Sequence, residues 1–275
     1  MVDLRQTPQY ATFMKSIGWV VERENAINYF IKKIPFIGSF IKIQRPNRID
    51  IERIDNLIHK YKAFQIVIEP KDTNQQSLIT NSGFRQSRIP FIPAKTIYIN
   101  LTKSEKQLLF EMHSKTRYNI KKATNNKLQV THSNKIEEFA EFWQKCALKQ
   151  RGMFLSQKKE IVNLYKAFGK NIHLIFIHKK GEILSGVLMP TSKEIAYYMY
   201  AASSDIGKKL FAPTLNTWEA IKLAKGKGCE IFDFEGIFDE RFPLKSWIGF
   251  TRFKKSFGGT EIKYPGAFTK YFFPF

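Results

Sequence analysis

The sequence of 275 residues lacks the short motifs that mark many catalytic and cofactor sites. It contains no glycine-rich loop of the kind that binds nucleotide phosphates, and no strand–turn–helix pattern around a nucleophilic serine. Its five histidines are scattered, and none has a neighbour at the spacing of a metal or catalytic pair. Covalent and metal-assisted catalysis are therefore not expected, and neither a metal nor a bound cofactor is predicted.

Cysteine and long apolar runs are also scarce. The two cysteines, Cys146 and Cys229, lie in apolar surroundings, which is typical of reduced, structural cysteines in a reducing compartment. The opening MVDLRQTPQY has no apolar core of a signal peptide, and no stretch approaches the ~20 apolar residues that span a bilayer. We expect a cytoplasmic protein, with contact to the inner face of the membrane left open, and a monomer.

Acidic residues are few compared with basic ones, 24 against 45, which gives a formal net charge of +21. The excess is spread over both halves of the chain and does not form a basic tail. Such a field attracts polyanions, which include nucleic acid, nucleotide diphosphates and an anionic membrane surface. Hydrophobic residues make up 43%, with 25 phenylalanines, so a substantial core is expected.

The two halves of the chain show the same order of predicted elements. In each half, strand patterns are followed by a helix and then by an apolar strand that must pair in parallel through the crossover. The helix–strand pairs are IERIDNLIHKYK with FQIVIEP in the first half and APTLNTWEAIKLAKGKG with EIFDFEG in the second. This order predicts an α+β fold of two tandem domains with mixed sheets, residues 1–127 and 128–275.

Two local predictions concern the regions that carry most of the candidate chemistry. The pattern Thr102-Lys-Ser-Glu105 resembles a capping box and predicts one long helix that continues to Ala123. The stretch GFTRFKKSFGG, residues 249–259, suits a buried strand or turn because of Phe253 and Phe257.

The predicted long helix carries a basic run without any acid. Lys115, Arg117, Lys121 and Lys122 fall within HSKTRYNIKKATNNK, together with Tyr118. One interpretation is a solvated helix face. The other is a phosphate-binding surface, where each cation gains free energy by releasing counterions from nucleic acid.

Lys254 and Lys255 stand between Phe253 and Phe257. A lysine among phenylalanines most often extends its ammonium group to water. If one of the two is held in a cleft instead, it offers a fixed positive charge to a developing oxyanion.

Five blocks of the sequence together resemble the FemABX family of nonribosomal peptidyltransferases, which build the cross-bridge of peptidoglycan. The blocks are KTRYNIKKA, QRGMF, YYMYAAS, APTLNTWEAIKLAKGKGCEIFDFEGI and FTRFKKSFGG, and the opening QTPQYATFMKSIGW is also similar. The resemblance covers nearly the whole chain, in the family's order. It implies two tandem acetyltransferase-like (GNAT) domains, an aminoacyl-tRNA donor as co-substrate, and lipid II or UDP-MurNAc-pentapeptide as acceptor.

The resemblance also implies where the acceptor binds. Lys15 and Arg151 match the basic residues that hold the acceptor's diphosphate, and Tyr200 matches the tyrosine of the strand block. Phe64 falls where the family can have a cleft tyrosine, so a hydroxyl is missing there. The coiled-coil arm that some members insert is not expected, which leaves tRNA docking to the globular basic surface.

For the reaction, the resemblance implies that Phe253 and Lys254 form the pair beside the reacting carbonyl, with Lys255 facing solvent. Lys254 would then stabilise the oxyanion that forms when a stem-peptide amine attacks the aminoacyl ester. Glu69, which matches an acidic position of the family, is a candidate base. The substrate itself and the leaving ribose oxygen are equally open candidates.

Two other functions stay open at this point. An N-acyltransferase that uses acyl-CoA would suit the fold, but it needs a glycine-rich turn before the crossover helix, and SSDIGKKLFAPTL has a single glycine there. A non-catalytic protein that binds RNA or a membrane surface would suit the charge and the aromatic tail YPGAFTKYFFPF.

Overall fold

A computed structural model of the chain describes residues 1–151 and 157–272, apart from the side chains of residues 150 and 151. The chain forms two compact units. Unit 1 contains Met1–Thr96, Phe238–Lys245 and the segment from Ile262 onward, and unit 2 contains Ile97–Ile237 and Ser246–Glu261.

The elements up to residue 125 alternate helices with short strand groups. In chain order they are α1 (Pro8–Ser16), β1 (Val20–Glu24), β2 (Ile27–Ile34), β3 (Gly38–Gln44), α2 (Ile51–Tyr61), β4 (Ala63–Glu69), α3 (Thr73–Asn81), β5 (Arg85–Gln86), β6 (Lys95–Asn100), α4 (Glu105–Glu111) and α5 (Ser114–Asn125).

The remaining elements complete both units. They are β7 (Gln129–Ser133), α6 (Ile136–Arg151), α7 (Lys158–Phe168), β8 (Ile172–Lys179), β9 (Glu182–Ser192), β10 (Ile195–Tyr197), β11 (Tyr200–Ser203), α8 (Asp205–Lys209), α9 (Ala212–Gly226), β12 (Ile231–Asp233), α10 (Ile248–Lys255), β13 (Thr260–Lys263) and β14 (Phe268–Tyr271).

Unit 1 is built on a mixed sheet with the strand order β1-β2-β3-β4-β14-β5. The strands β3 and β4 pair in parallel, with Ile41 opposite Ile66, and α2 makes the crossover between them. The amphipathic pattern of α2 buries Ile54, Leu57 and Ile58 against this sheet's apolar core. The last strand, β14, returns from the end of the chain to pair with β4 and β5.

Unit 2 contains a second mixed sheet, with the order β13-β6-β12-β10-β9-β8-β7 and with β11 paired to β9. The helix α9 connects β11 to β12, and β12 pairs in parallel with β10. Pro213 favours the start of α9, because proline fits the first helical turn. The core beneath it contains Phe232, Phe234 and Trp218.

The predicted α+β class with mixed sheets is confirmed. The compact units differ from the predicted domains 1–127 and 128–275, because residues 97–127 belong to unit 2 while Phe238–Lys245 and the segment from Ile262 onward belong to unit 1. The longest helix among the described residues is α6, Ile136–Arg151, and no long coiled-coil arm occurs in these ranges. In the same ranges, no helix is long and apolar enough to cross a bilayer.

The predicted long helix from residue 102 is wrong, since the chain forms α4 and α5 with a break at Met112–His113. The capping box is also shifted: Ser104 and Gln107 form it, not Thr102 and Glu105. The side chain of His113 caps α5 by accepting a hydrogen bond from the backbone of Lys115. The second helix therefore has its own N-terminal cap directly after the end of the first.

Candidate active site

Lys254 lies on α10, a helix rich in aromatic residues. Phe253 lies on α10 and Phe257 in the turn that follows it, and their ring centroids are 5.2 Å apart. Phe257 is buried, and the Nζ of Lys254 lies 4.9 Å from the ring centroid of Phe250. The predicted strand or turn is wrong for Ile248–Lys255: the phenylalanine spacing is that of a helix.

The ammonium group of Lys254 is held by backbone carbonyls. Its Nζ donates hydrogen bonds to the carbonyl oxygens of Phe234, at 2.7 Å, and Gly236, at 2.6 Å. Both carbonyls belong to the segment that follows β12, where Glu235 has a φ of 55° and Gly236 a φ of 115°. The turn is stabilised by the carboxylate of Asp233, which accepts from the backbone N–H of Glu235 at 2.8 Å. A strained backbone at such a position is typical of functional sites.

The neighbouring Lys255 has a different environment. It is exposed, and its ammonium group pairs with the carboxylate of Glu261 at 2.5 Å. Lys254, by contrast, is partly buried and lines a pocket. The helix therefore places Lys255 in solvent and the adjacent, chemically identical Lys254 in a pocket.

Burial lowers the pKa of Lys254 to about 8, while the negative charges of Glu235 and Asp233 act in the opposite direction. The ordinary value for lysine is about 10.5. At pH 7 the side chain is mostly a cation, and burial removes it from bulk water. Electrostatic interactions with a bound anion are stronger in such surroundings than in water.

The pocket lies where the sheet of unit 2 opens. The parallel pairing of β10 with β12 ends at Tyr197 opposite Asp233. The following strand, β11, pairs with β9, from Tyr200 opposite Leu188 onward, and no described pairing joins it to β12. The resulting gap contributes to a pocket of about 650 Å³, a volume within the range of small-ligand sites.

The walls of the pocket come from several separate elements. The segment from Tyr198 to Ser203 forms one side, and Glu235, Phe253 and Lys254 form another. The ring of Tyr200 meets Trp143 of α6 edge to face, with centroids 5.7 Å apart.

Tyr198 is buried in the core of unit 2. Its hydroxyl lies 3.0 Å from the hydroxyl of Thr217 on α9. Burial raises the pKa of this tyrosine to about 12, so it stays protonated. The structure thus brings Tyr200, Phe253 and Lys254 together in one pocket, with Tyr198 as part of its rigid wall.

The pocket residues that were not predicted as site residues include Trp143, Lys208 and Glu235. Trp143 lies on the buried face of α6. The pair Glu235–Gly236 directly follows an apolar strand, and such a pair is a turn signal that could have pointed to the site. Lys208 carried no such signal.

Glu69, the predicted candidate base, lies in unit 1 at the end of β4 and is buried. Its carboxylate accepts hydrogen bonds from the backbone N–H groups of Phe91 and Ile92, both at 2.8 Å, and from the Gln44 side chain at 2.7 Å. Burial raises the pKa of Glu69, and these hydrogen bonds and Arg45 act against the rise. This geometry fits a residue that holds the loop at 91–92 rather than a base that meets a substrate.

The predicted acceptor-binding residues lie on different elements. Lys15 is exposed near the end of α1, and Phe64 is partly buried on β4, both in unit 1. Arg151 ends α6, and its side chain lies outside the described part of the structure.

The basic run forms the exposed face of α5. Lys115, Arg117, Lys121 and Lys122 are all exposed, while Thr116, Ile120 and Ala123 are buried on the other face. The guanidinium of Arg117 donates to the carbonyl oxygens of Phe110 and Met112, so it also caps the end of α4. The Nζ of Lys122 lies 5.5 Å from the ring centroid of Phe211 and 5.8 Å from that of Tyr118.

The sequence of residues 156–275 matches the FemAB family model. This match confirms the resemblance predicted from the sequence, over the residues that it covers. No curated protein sequence matches the chain.

Several solved structures are similar to the chain in fold. The sequence in the crystal structure of FemX is 18% identical to this chain. The structural match covers 98% of this chain and 92% of the FemX chain, with a TM-score of 0.84. L-PGS from Bacillus licheniformis has a TM-score of 0.58 at 12% identity, with 94% and 86% of the two chains covered. A tandem GNAT protein from the clavulanic acid biosynthesis pathway has a TM-score of 0.52 at 9% identity, with 89% and 82% covered. These matches confirm the predicted fold of tandem GNAT-like units.

Proposed function

Since residues 156–275 match the FemAB family and the chain has the fold of FemX, we propose that this protein is an aminoacyltransferase of the FemABX type. It transfers an amino acid from aminoacyl-tRNA to the stem-peptide amine of a peptidoglycan precursor, either lipid II or UDP-MurNAc-pentapeptide. The proposal depends most on one observation, the partly buried ammonium group of Lys254 in the pocket of unit 2.

The ammonium group is suited to stabilise an oxyanion. A protonated lysine has three N–H donors, and the carbonyls of Phe234 and Gly236 take two of them. These bonds fix the position of the charge before substrate arrives, so little reorganisation is needed during the reaction. Preorganised charge of this kind is worth about 3 to 4 kcal/mol of transition-state stabilisation per donor.

In the proposed reaction, the lone pair of the acceptor amine attacks the carbonyl carbon of the aminoacyl ester. The carbonyl electrons move onto oxygen, and Lys254 stabilises the resulting oxyanion while remaining protonated. When the oxyanion collapses, an amide forms and the carbon–oxygen bond to the tRNA ribose breaks. The ribose oxygen leaves with the proton that the amine loses, so atoms and charges balance without a cofactor.

The hydrogen bonds of Glu69 support a proton route that does not use Glu69 as a base. Because the described hydrogen bonds of its carboxylate all go to Phe91, Ile92 and Gln44, we assign it a positioning role. Transfer within the substrates requires only that amine, ester and leaving oxygen are held together, and such positioning can supply about 7 to 11 kcal/mol of the barrier.

Substrate binding completes the proposal. Tyr200 and Phe253 would line the path of the reacting ends in the pocket, and the exposed lysines of α5 would bind the tRNA backbone. Lys15, Phe64 and Arg151 are proposed to bind the acceptor, by the family resemblance alone. The enzyme would act in the cytoplasm, where charged tRNA is present.

The proposal is tested by transfer of labelled amino acids from a mixture of charged tRNAs. Lipid II and UDP-MurNAc-pentapeptide serve as acceptors in separate reactions, and labelled acetyl-CoA replaces the tRNA in a third. We expect label on one of the precursors only when charged tRNA is the donor. Transfer from acetyl-CoA alone would support an acyl-CoA enzyme, and absence of all transfer with intact tRNA binding would support a non-catalytic binding protein.

A further inference from the structure

The turn between β2 and β3, residues 34–38, exposes large apolar side chains and is called the hairpin tip here. Phe36 is completely exposed, at 109% of its reference area, and Ile37 is 54% exposed. Both belong to unit 1. No described partner removes the exposed apolar surface of Phe36 and Ile37 from water, which is unfavourable for apolar side chains.

The backbone of the hairpin tip is unusual for the residue that it carries. The N–H of Ile37 donates to the carbonyl of Ile34 at 3.2 Å, which closes a four-residue turn. Pro35 occupies the second position, and Phe36 the third with a φ of 65°. This combination is that of a type II turn, whose third position favours glycine. Phe36 therefore adopts a disfavoured conformation in a place where its side chain gains no burial.

The hairpin tip is also firmly fixed to unit 1. The N–H of Ser39 donates to the carbonyl of Lys62 at 3.1 Å. A Cβ at Gly38 would lie 2.3 Å from that same carbonyl oxygen, so the hairpin and the end of α2 are in close contact. Pro35 further restricts the turn. Phe36 and Ile37 are thus presented on a fixed support.

Positive charge surrounds the hairpin tip. A groove beside it is lined by Lys33, Lys60 and Lys62, and Asp55 is its one acidic lining residue in the described ranges. Lys60 pairs with Glu22, at 2.6 Å. Lys33 and Lys62 are exposed, and no described carboxylate forms an ion pair with either. The apolar tip is therefore accompanied by cations that remain available to an anionic surface.

We propose that the hairpin tip binds an anionic phospholipid bilayer, with Phe36 and Ile37 in the headgroup–acyl boundary and Lys33 and Lys62 near lipid phosphates. A stable protein interface buries about 800 Å² per partner, whereas a phenylalanine and its apolar neighbours supply only a few hundred. A small apolar wedge with lysines beside it instead matches the chemistry of interfacial membrane binding. This inference does not rest on the proposed transferase function.

The test is co-sedimentation of the full chain with vesicles of phosphatidylcholine alone and of phosphatidylcholine mixed with phosphatidylglycerol. We expect binding to the anionic vesicles that weakens with salt, since surface charges are screened. Phe36→Gly removes the wedge and suits the positive φ, so it should keep the fold and weaken binding about tenfold or more. Replacing Lys33 or Lys62 by glutamine should weaken binding about fivefold each.

Phe110→Ala is the matched control, because Phe110 is also strongly exposed, at 81%, but lies on α4 of unit 2. It should leave vesicle binding unchanged. The inference is overturned if the wild type ignores anionic vesicles, or if Phe36→Gly binds as well as the wild type. It is also overturned if Phe110→Ala weakens binding equally, or if Phe36→Gly instead abolishes a dimer of the wild type.

Discussion

At the scale of single residues, the main result is the separation of Lys254 from Lys255. One ammonium group donates to the carbonyls of Phe234 and Gly236, and the other pairs with Glu261. The two side chains are chemically identical, so only their positions on α10 distinguish Lys254 from Lys255. Lys255 is therefore the natural internal control for every experiment on Lys254.

The lowered pKa of Lys254 predicts a pH dependence of stability. The unfolded chain, with an ordinary lysine pKa near 10.5, binds this proton up to higher pH than the folded chain, where burial lowers the pKa to about 8. Between pH 8 and pH 10.5 the unfolded state binds more protons than the folded state. The free energy of unfolding therefore falls as the pH falls toward 8 and rises as the pH rises toward 10.5. We expect the free energy of unfolding of the wild type, relative to Lys254→Met, to increase over that window.

Urea unfolding of both proteins at several pH values between 7 and 10 measures this difference. Lys255→Met, which removes the adjacent exposed lysine, provides the control. A difference between the wild type and Lys254→Met that does not change with pH would mean that the pKa of Lys254 is ordinary.

Glu69 provides a second prediction at the residue scale. In Glu69→Gln, the amide oxygen can still accept from Phe91 and Ile92, and the amide N–H can donate to the Gln44 oxygen after that side chain rotates. That Gln44 oxygen is buried without a partner among the described residues. We expect transfer within a few-fold of the wild type, whereas Glu69→Ala should lower the free energy of unfolding by about 1 to 3 kcal/mol.

Single-turnover transfer and urea unfolding, measured on both Glu69 variants, test this assignment. A loss of transfer of about 100-fold or more in a stably folded Glu69→Gln would identify Glu69 as a base instead.

At the scale of elements, the pocket depends on how closely α8 approaches β9. A Cβ at Gly207 would lie 2.1 Å from the carbonyl oxygen of Leu184, so no larger residue fits without movement. The side chain of Ser204 accepts from the N–H of Gly207 and starts this helix. Because α8 directly follows β11, this contact also fixes one wall of the pocket.

Two glycine substitutions test this contact. Gly207→Ala should lower the free energy of unfolding by about 1 to 3 kcal/mol because of overpacking. Gly226→Ala, at the end of α9 where a Cβ would meet nothing within 4 Å, should raise it by up to about 1 kcal/mol through helix propensity. Thermal and urea unfolding measure both, and equal effects of the two variants would show that the close contact at Gly207 does not constrain the fold.

Elements with strong local signals could be predicted from the sequence, and those set by tertiary contacts could not. The helix α9 follows from Pro213 and from its apolar pattern, and α2 from its i, i+3, i+4 spacing. The break between α4 and α5 could not be predicted, because neither Met112 nor His113 ends helices by itself. It is stabilised by Arg117, which bonds to the carbonyls at the end of α4 only after the chain has turned.

At the scale of the whole molecule, the net charge of +21 accounts for affinity to polyanions without specifying where they bind. The exposed basic face of α5 predicts one tRNA-binding surface. Replacing Lys115, Lys121 and Lys122 together by glutamine should weaken tRNA binding. It should also reduce the slope of log affinity against log salt by about 0.7 to 0.9 for each phosphate that these lysines neutralise in the wild type.

The matched control for this variant replaces Lys170, Lys180 and Lys227, which are also exposed, and so changes the net charge equally. Titration of labelled tRNA at several salt concentrations compares the two. Equal loss of affinity in both variants would assign tRNA binding to the general field of the protein and not to α5.

The candidate site also shows what a sequence reveals only in part. Lys254 and Tyr200 could be predicted, because both lie in blocks that resemble a known family. Trp143, Lys208 and Glu235 reach the same pocket from α6, α8 and the turn after β12. No spacing in the sequence connects them, since they meet only after the sheet of unit 2 has formed and opened beyond Tyr197.

The most direct test of the proposed function is the single-turnover rate of aminoacyl transfer by Lys254→Met beside Lys255→Met, with donor and acceptor both saturating. Loss of the preorganised charge should slow Lys254→Met by about 100- to 1,000-fold, while tRNA binding is kept and Lys255→Met stays close to the wild type. Equal rates for the two variants would contradict the role of Lys254 in the reaction.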